Sequence, residues 1–237
     1  RAYQGRISQD GARVAYRVNN SWDDERRNYR GGQNRPIWIV DLKTYDLVTP
    51  PWTDSKDIEP VWVGDAVYFL SDRDGVSNVW SYEIASKKLE RLTRDTWDEA
   101  SPSWSPDGST IVYGLLNGRG AIRILRRGAD GSFGPPVELA DFGIAPKFSP
   151  DGRWIVFGSK PVGGWTFVVP ADSGPPRALV DTLAAETPTA AFPVFSRDGR
   201  EVLFAGHDAQ RAPGIWAVPF PAGGTPELVL RFDDPAH

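Results

Sequence analysis

The chain has 237 residues, 40% hydrophobic and 24% charged, with 27 basic against 31 acidic side chains for a formal charge of −4. That is the make-up of a soluble globular protein able to bury a sizeable core. The signs are evenly spread, with 15 basic against 17 acidic up to residue 100 and 12 against 14 after it, so the basic footprint of a nucleic-acid binder is missing.

Zero cysteines exclude disulfides and thiolate metal sites and leave the cellular compartment open. No apolar run approaches the length of a bilayer span, so no membrane segment is expected. The chain begins at Arg1 without a Met and is expected to be a trimmed or mature fragment.

A first unit, residues 2–56, opens with Gly5-Arg-Ile-Ser-Gln-Asp-Gly11 leading into an apolar run at 13–16, and continues with a second run at 37–40. Residues 19–35 between them form a hairpin loop well beyond the length of its counterparts. The second unit, 57–99, starts from Glu59-Pro-Val-Trp-Val63. It passes through a shortened Gly64-Asp65 turn into runs at 66–69, 79–82 and 89–92.

The third unit, 100–144, carries Ser101-Pro-Ser-Trp-Ser-Pro-Asp-Gly108 and runs at 111–113, 122–125 and 137–139. The fourth, 145–190, repeats it as Ala145-Pro-Lys-Phe-Ser-Pro-Asp-Gly152 with runs at 154–157, 165–168 and 177–180. The fifth, 191–234, repeats it as Phe192-Pro-Val-Phe-Ser-Arg-Asp-Gly199 with runs at 201–204, 215–218 and 227–230. The last three Asp-Gly steps are 44 and 47 residues apart.

Short β-branched and aromatic runs between Gly, Pro, Asp and Ser are strands. The Asp-Gly pairs are expected to supply the positive dihedrals of tight hairpins. Four strands recurring at this period predict an all-β fold, a five-bladed β-propeller of four-stranded antiparallel blades in one domain; the alternative is part of a six-bladed one. Trp62, Trp104, Phe148 and Phe195 occupy equivalent places and are expected to form the packing layer between blades. Glu59, Ser101, Ala145 and Phe192 are expected to start the innermost strands.

The Ser-Pro-Asp-Gly repeat resembles TolB-like and WD-like bacterial propeller repeats over the whole chain. Residues 1–100 resemble the N-terminal propeller of tricorn-type proteases, through Tyr29-Arg-Gly-Gly32 before Ile37-Trp-Ile-Val-Asp-Leu42 and Pro60-Val-Trp-Val-Gly-Asp65 before Tyr68-Phe-Leu-Ser-Asp-Arg-Asp-Gly75. Residues 101–237 resemble TolB-like sensor propellers, through Ile215-Trp-Ala-Val-Pro-Phe220 and Glu227-Leu-Val-Leu230. Four prolines fall in the first 100 residues and seventeen after them, a break that suits divergence between blades and also a chimera of two parents. The resemblance implies a propeller without the separate peptide-cutting domain of the tricorn type, which nothing here matches.

Catalytic residues are sparse. His207 and His237 are the two histidines, and no Gly-x-Ser-x-Gly elbow supplies a nucleophile. Two scattered histidines make no zinc site, and Asp72-Arg-Asp-Gly75 reads as a turn, lacking the later ligands of a calcium loop. Glycosidases work with paired carboxylates, and Asp57, Asp98 and Glu99 leave such a pair open as an alternative. No cofactor is expected.

The expected function is therefore that of a non-catalytic scaffold binding a protein or peptide on one loop face. An engineered or recombined propeller with a structural role is the alternative, and a glycosidase-type enzyme the least favoured reading. Aromatic and Arg residues in loops are the types that anchor binding. The face is assigned Trp22, Arg26, Arg27, Tyr29, Arg30, Asp57, Glu59, Arg73, Trp97, Glu99 and Arg119, with Asp98 and His207 beside them. The stretch from Arg26 to Arg30 follows Asp23-Asp24-Glu25, so its charge is largely offset, and Trp22 and Tyr29 suit packing of the long hairpin as well as binding. A monomer is expected if the ring of blades closes.

Overall fold

The computed structural model describes residues 2–18, 34–159, 166–180, 191–207 and 213–232. Among them no helix occurs, and the strands form five four-stranded antiparallel sheets, each in simple sequential order. The fold is all-β and propeller-like. The first sheet holds β1 (Ala2–Ile7), β2 (Arg13–Val18), β3 (Trp38–Asp41) and β4 (Leu47–Val48). The second holds β5 (Asp57–Val63), β6 (Ala66–Ser71), β7 (Asn78–Glu83) and β8 (Lys88–Arg91).

The third comprises β9 (Glu99–Trp104), β10 (Thr110–Leu115), β11 (Ala121–Arg126) and β12 (Val137–Ala140). The fourth comprises β13 (Ile144–Phe148), β14 (Trp154–Gly158), β15 (Thr166–Pro170) and β16 (Arg177–Ala178). The fifth comprises β17 (Ala191–Phe195), β18 (Glu201–His207), β19 (Pro213–Pro219) and β20 (Glu227–Arg231). Strand β4, a two-residue element, is one that the sequence pattern did not announce. The chain divides into two compact units, Arg1–Glu99 and Ala100–His237.

Within each unit a sheet is apolar on both faces and packs against the next. Ala15, Ile37 and Ile39 of the first sheet meet Val67, Phe69, Trp80 and Tyr82 of the second. Val112, Ile122, Ile124 and Ala140 meet Ile155, Phe157 and Val169. Val156, Val168, Leu179 and Val180 meet Val202, Phe204 and Val218. The second and third strands of each sheet thus carry the core. This adjusts the expected aromatic layer: Trp62, Phe148 and Phe195 are half-buried at the margins of these clusters. Trp104 stands apart from them, edge-on to Phe133 with ring centroids 6.0 Å apart.

The turns after the first strands share one mechanism. In each full Ser-x-Asp-Gly turn the Ser hydroxyl donates to the Asp carboxylate two residues on and accepts the N–H five residues on, as Ser149 does with Asp151 (2.6 Å) and Trp154 (3.0 Å). Ser8, Ser105 and Ser196 repeat the pair of bonds. Only the Gly takes a positive φ, +72° at Gly152, so the Asp serves as acceptor and not, as expected, as a second left-handed residue. The shortened Gly64-Asp65 turn is a two-residue hairpin closing on the pair Val63 and Ala66.

The first strands begin one or two residues earlier than the sequence suggested. Gln4, Glu59, Ser101, Ala145 and Phe192 then fall inside them and share a positive φ of 51–53°. In four of these strands the residue sits in a register shift, and in four a proline follows it. Each is a bulge that turns the strand by placing one L-residue in the left-handed region, at a cost of ~1–2 kcal/mol.

Candidate functional site

The loop joining β6 to β7 grips the linkers on both sides of the second sheet. Towards residues 49–56, Asp72 Oδ1 accepts the Lys56 N–H (2.8 Å) and Arg73 Nη1 donates to the Pro51 carbonyl (2.9 Å). Towards residues 92–98, the Ser77 N–H donates to Asp98 Oδ1 (3.0 Å) and the Ser77 carbonyl accepts the Glu99 N–H (2.9 Å). One hairpin loop therefore fixes both linkers at one end of the first unit.

Two carboxyls expected on the binding face lie beneath these loops. Asp57 is 1% exposed as the first residue of β5. Its Oδ1 accepts from the hydroxyls of Ser55 (2.8 Å) and Ser71 (2.6 Å), and Arg73 Nη2 lies 3.1 Å from Oδ2. Burial raises the pKa of Asp57 above its ordinary value, and the Arg73 guanidinium and the two hydroxyls oppose that rise. Arg73 is itself withdrawn from solvent, its side chain 5% exposed and its guanidinium carbon 4.8 Å from the centre of the Trp80 ring.

Glu99, at the start of β9, is 2% exposed. Its Oε2 accepts the Val79 N–H (2.8 Å) and the Thr93 hydroxyl (2.7 Å). Burial first, and the neighbouring Asp95 carboxylate second, push its pKa up to about 9. Glu99 is therefore protonated at neutral pH. The assignment of Asp57, Arg73 and Glu99 to the exposed face is thereby corrected: Arg73 and Glu99 bond backbone directly, and Asp57 holds Ser55, Ser71 and Arg73 from within.

A signal for this lay in the repeat. Asp57 and Glu99 stand two residues before the left-handed positions Glu59 and Ser101, where the fourth repeat has Gly143. A polar residue at a fixed place at a strand's start belongs to the scaffold before it belongs to a ligand.

The face that remains is aromatic. Trp97 is 52% exposed on the 92–98 linker, and Trp52 is 37% exposed on the 49–56 linker, its Nε1 donating to the Ser55 carbonyl (2.9 Å). Sequence reasoning missed Trp52. Glu59 is half-buried and its N–H donates to Gln4 Oε1 (3.0 Å), tying the first sheet to the second. In the second unit Arg119 is exposed and its carbonyl accepts the Gly143 N–H (3.3 Å), while His207 is exposed at the end of β18. Trp22, Arg26, Arg27, Tyr29 and Arg30, on the long hairpin, lie outside the described residues.

Among the described residues no three His, Cys, Asp or Glu side chains gather as metal ligands. A groove of about 320 Å³ in the second unit is lined by Asp107, Arg126, Phe148, Asp151 and Arg153. Its charges are engaged locally, Arg153 with Asp151 at 2.7 Å and Arg126 with the carbonyls of Ala171 and Asp172.

Residues 1–125 match the model of the tricorn protease N-terminal β-propeller domain. The chain belongs to that tricorn N-terminal propeller family. Among curated relatives, this tricorn-type propeller is 27% identical over 193 residues to the uncharacterized peptidase YuxL of Bacillus subtilis, covering 64% of this chain and 28% of that one. It therefore spans less than a third of that relative's length. A putative TolB from Agrobacterium tumefaciens shares the fold with a TM-score of 0.65 at 17% identity, covering 96% of this chain and 79% of that one. An oligogalacturonate lyase from Vibrio parahaemolyticus shares it at 0.64 and 14% identity, covering 97% and 65%.

Proposed function

We propose that this tricorn-type propeller is a non-catalytic scaffold that binds protein or peptide segments at the loop end of its second sheet. Trp97 and Trp52 are its aromatic anchors. The observation that carries the reading is an indole 52% exposed on a linker whose backbone is pinned by the β6–β7 loop. A large apolar side chain on a backbone already fixed has less freedom to lose on binding, and tryptophan is the residue most enriched among binding hot spots.

The ligand class follows from relatives whose names are peptidase and protease, which handle polypeptides. The absence of catalysis is supported by the use already made of Asp57 and Glu99, one ion-paired and one protonated, both buried. Calorimetric titration of hits from a peptide array tests the proposal. Trp97→Ala should weaken binding tenfold or more with the fold retained. An array without hits would leave a purely structural role, and turnover of nitrophenyl glycosides or oligogalacturonate would overturn the non-catalytic reading.

A further inference from the structure

The segments that meet at the loop end of the second sheet are acidic. Residues 49–57, 72–77 and 91–98 carry six aspartates against Lys56, Arg73, Arg91 and Arg94. That balance of −2 is half the net charge of the whole chain, held in three short segments. Two of the four cations are committed within it. Arg73 lies 3.1 Å from Asp57 Oδ2 with its side chain 5% exposed, and Arg91 lies 3.0 Å from Asp74 Oδ2.

The buried carboxyl beneath these segments belongs to the same picture. Glu99 Oε1, beside Asp95, is bonded to no donor of the chain. This end of the unit therefore holds a carboxyl oxygen that its own cations leave unmet, and the acid keeps its proton instead.

The exposed indole completes it. Asp95 and Asp98 stand two residues before and one residue after Trp97, and tryptophan is the ring that attracts a cation most strongly. The chain already uses such contacts. The guanidinium carbon of Arg73 lies 4.8 Å from the centre of the Trp80 ring, and that of Arg127 4.9 Å from the Phe133 ring. A bare metal ion suits the place less well, since among the described residues no three metal-ligating side chains gather.

We infer that the occupant of this loop end is a basic polypeptide segment, with an Arg or Lys side chain laid on Trp97 between Asp95 and Asp98. The inference rests on the binding reading above and names the ligand's charge. Length points to a segment and not to a lone amine. The two tryptophan-bearing linkers are pinned at Asp72–Arg73 and at Ser77, positions that five residues of extended chain separate by at most ~18 Å. A peptide of about six extended residues spans that distance.

Fluorescence anisotropy of labelled peptides tests this, with a glycine-serine octapeptide carrying two arginines five residues apart and its glutamine and glutamate counterparts. The arginine peptide should bind about tenfold tighter than the glutamine one, the scale of a desolvated cation–π contact, and the glutamate one should not bind. Raising salt from about 0.05 to 0.5 M should weaken it, because screening shortens the reach of the aspartates. Arg94 is exposed, and Arg94→Glu removes a competing cation, so it should tighten the arginine peptide about threefold. Trp97→Ala should loosen it.

Circular dichroism checks the fold of both variants. If either fails to fold, hydrogen exchange on the unaltered chain decides: the arginine peptide should slow exchange in 72–77 and 92–98, and unchanged exchange there overturns the inference. Glutamine or glutamate peptides that bind as tightly, and lose binding in Trp97→Ala, overturn the basic occupant while the binding site itself stands. Arginine-peptide binding indifferent to both substitutions overturns it as well, since the peptide then sits elsewhere. So does the absence of binding by all three.

Discussion

Glu99 makes the sharpest residue-scale prediction. Its folded pKa of about 9 lies above the ordinary glutamate value of 4.5, so between those pH values the folded chain holds a proton that the unfolded chain has released. Stability is present in full below the unfolded pKa and declines as pH rises, by up to ~1.4 kcal/mol per pH unit for one group, levelling above the folded pKa. Glu99→Gln keeps the acceptor for Val79 and Thr93 and offers Asp95 an N–H. It should flatten the fall of Tm between pH 5 and 9, leaving Tm near pH 5 almost unchanged; equal slopes in variant and parent would show Glu99 ionised in the fold. The Asp57–Arg73 pair behaves differently, since removing one partner strands a buried charge. Arg73→Met should cost about 3–5 kcal/mol in urea unfolding. Adding Asp57→Asn should recover at least ~1 kcal/mol of that loss, by the coupling expected of contacting residues.

At the scale of elements, the Ser-x-Asp-Gly turn works as a closed hydrogen-bonded unit. Ser149→Ala removes both a donor to Asp151 and the acceptor of the Trp154 N–H, and should cost ~1–2 kcal/mol in thermal or urea unfolding. The Ser149 hydroxyl is the foremost cause holding Asp151 at about 2, so NMR titration of the variant should find that pKa moved up towards the usual carboxylate range. Asp10, Asp107 and Asp198 are likewise lowered, each chiefly by its own serine. Their contributions are present above the ordinary carboxylate pKa and fade as pH falls through the lowered values. Between sheets, Phe157 is fully buried, and Phe157→Ala should cost about 3–5 kcal/mol. Half-buried Trp104, packed edge-on to Phe133, should cost clearly less on truncation. Equal losses in urea unfolding would place Trp104 in the core after all.

At the scale of the whole molecule, the two compact units predict how damage combines. Arg73 bonds residues of the first unit and Phe157 packs with residues of the second. Their destabilisations should add within about 0.5 kcal/mol in the double variant, as for sites without shared partners. Hydrogen exchange should show Arg73→Met loosening β5–β8 while β13–β16 stay protected. Loss of protection in β13–β16 as well would mean that the two units open together.

The strands were legible because each is a short apolar run between turn residues, and repetition allowed a clear unit such as 145–190 to identify a weaker one such as 2–56. Five sheets, their order and the Gly64-Asp65 hairpin followed from local chemistry that a linear reading captures. The candidate site was legible only in part. Trp97 was named because aromatic residues in the loops between strands are the types that anchor binding, and Trp52, in the loop after the unannounced strand β4, was not.

Sequence by itself determined where the backbone pairs with itself, since periodicity and turn residues act over a few positions. Only the tertiary structure decided that Asp57 and Glu99 face inward. Their fate depends on Arg73, Ser71, Thr93 and Val79, groups 6 to 20 residues away that converge when the β6–β7 loop closes over the linkers. A carboxylate reads the same on a loop and in a core; its burial and its proton belong to the neighbours that folding brings.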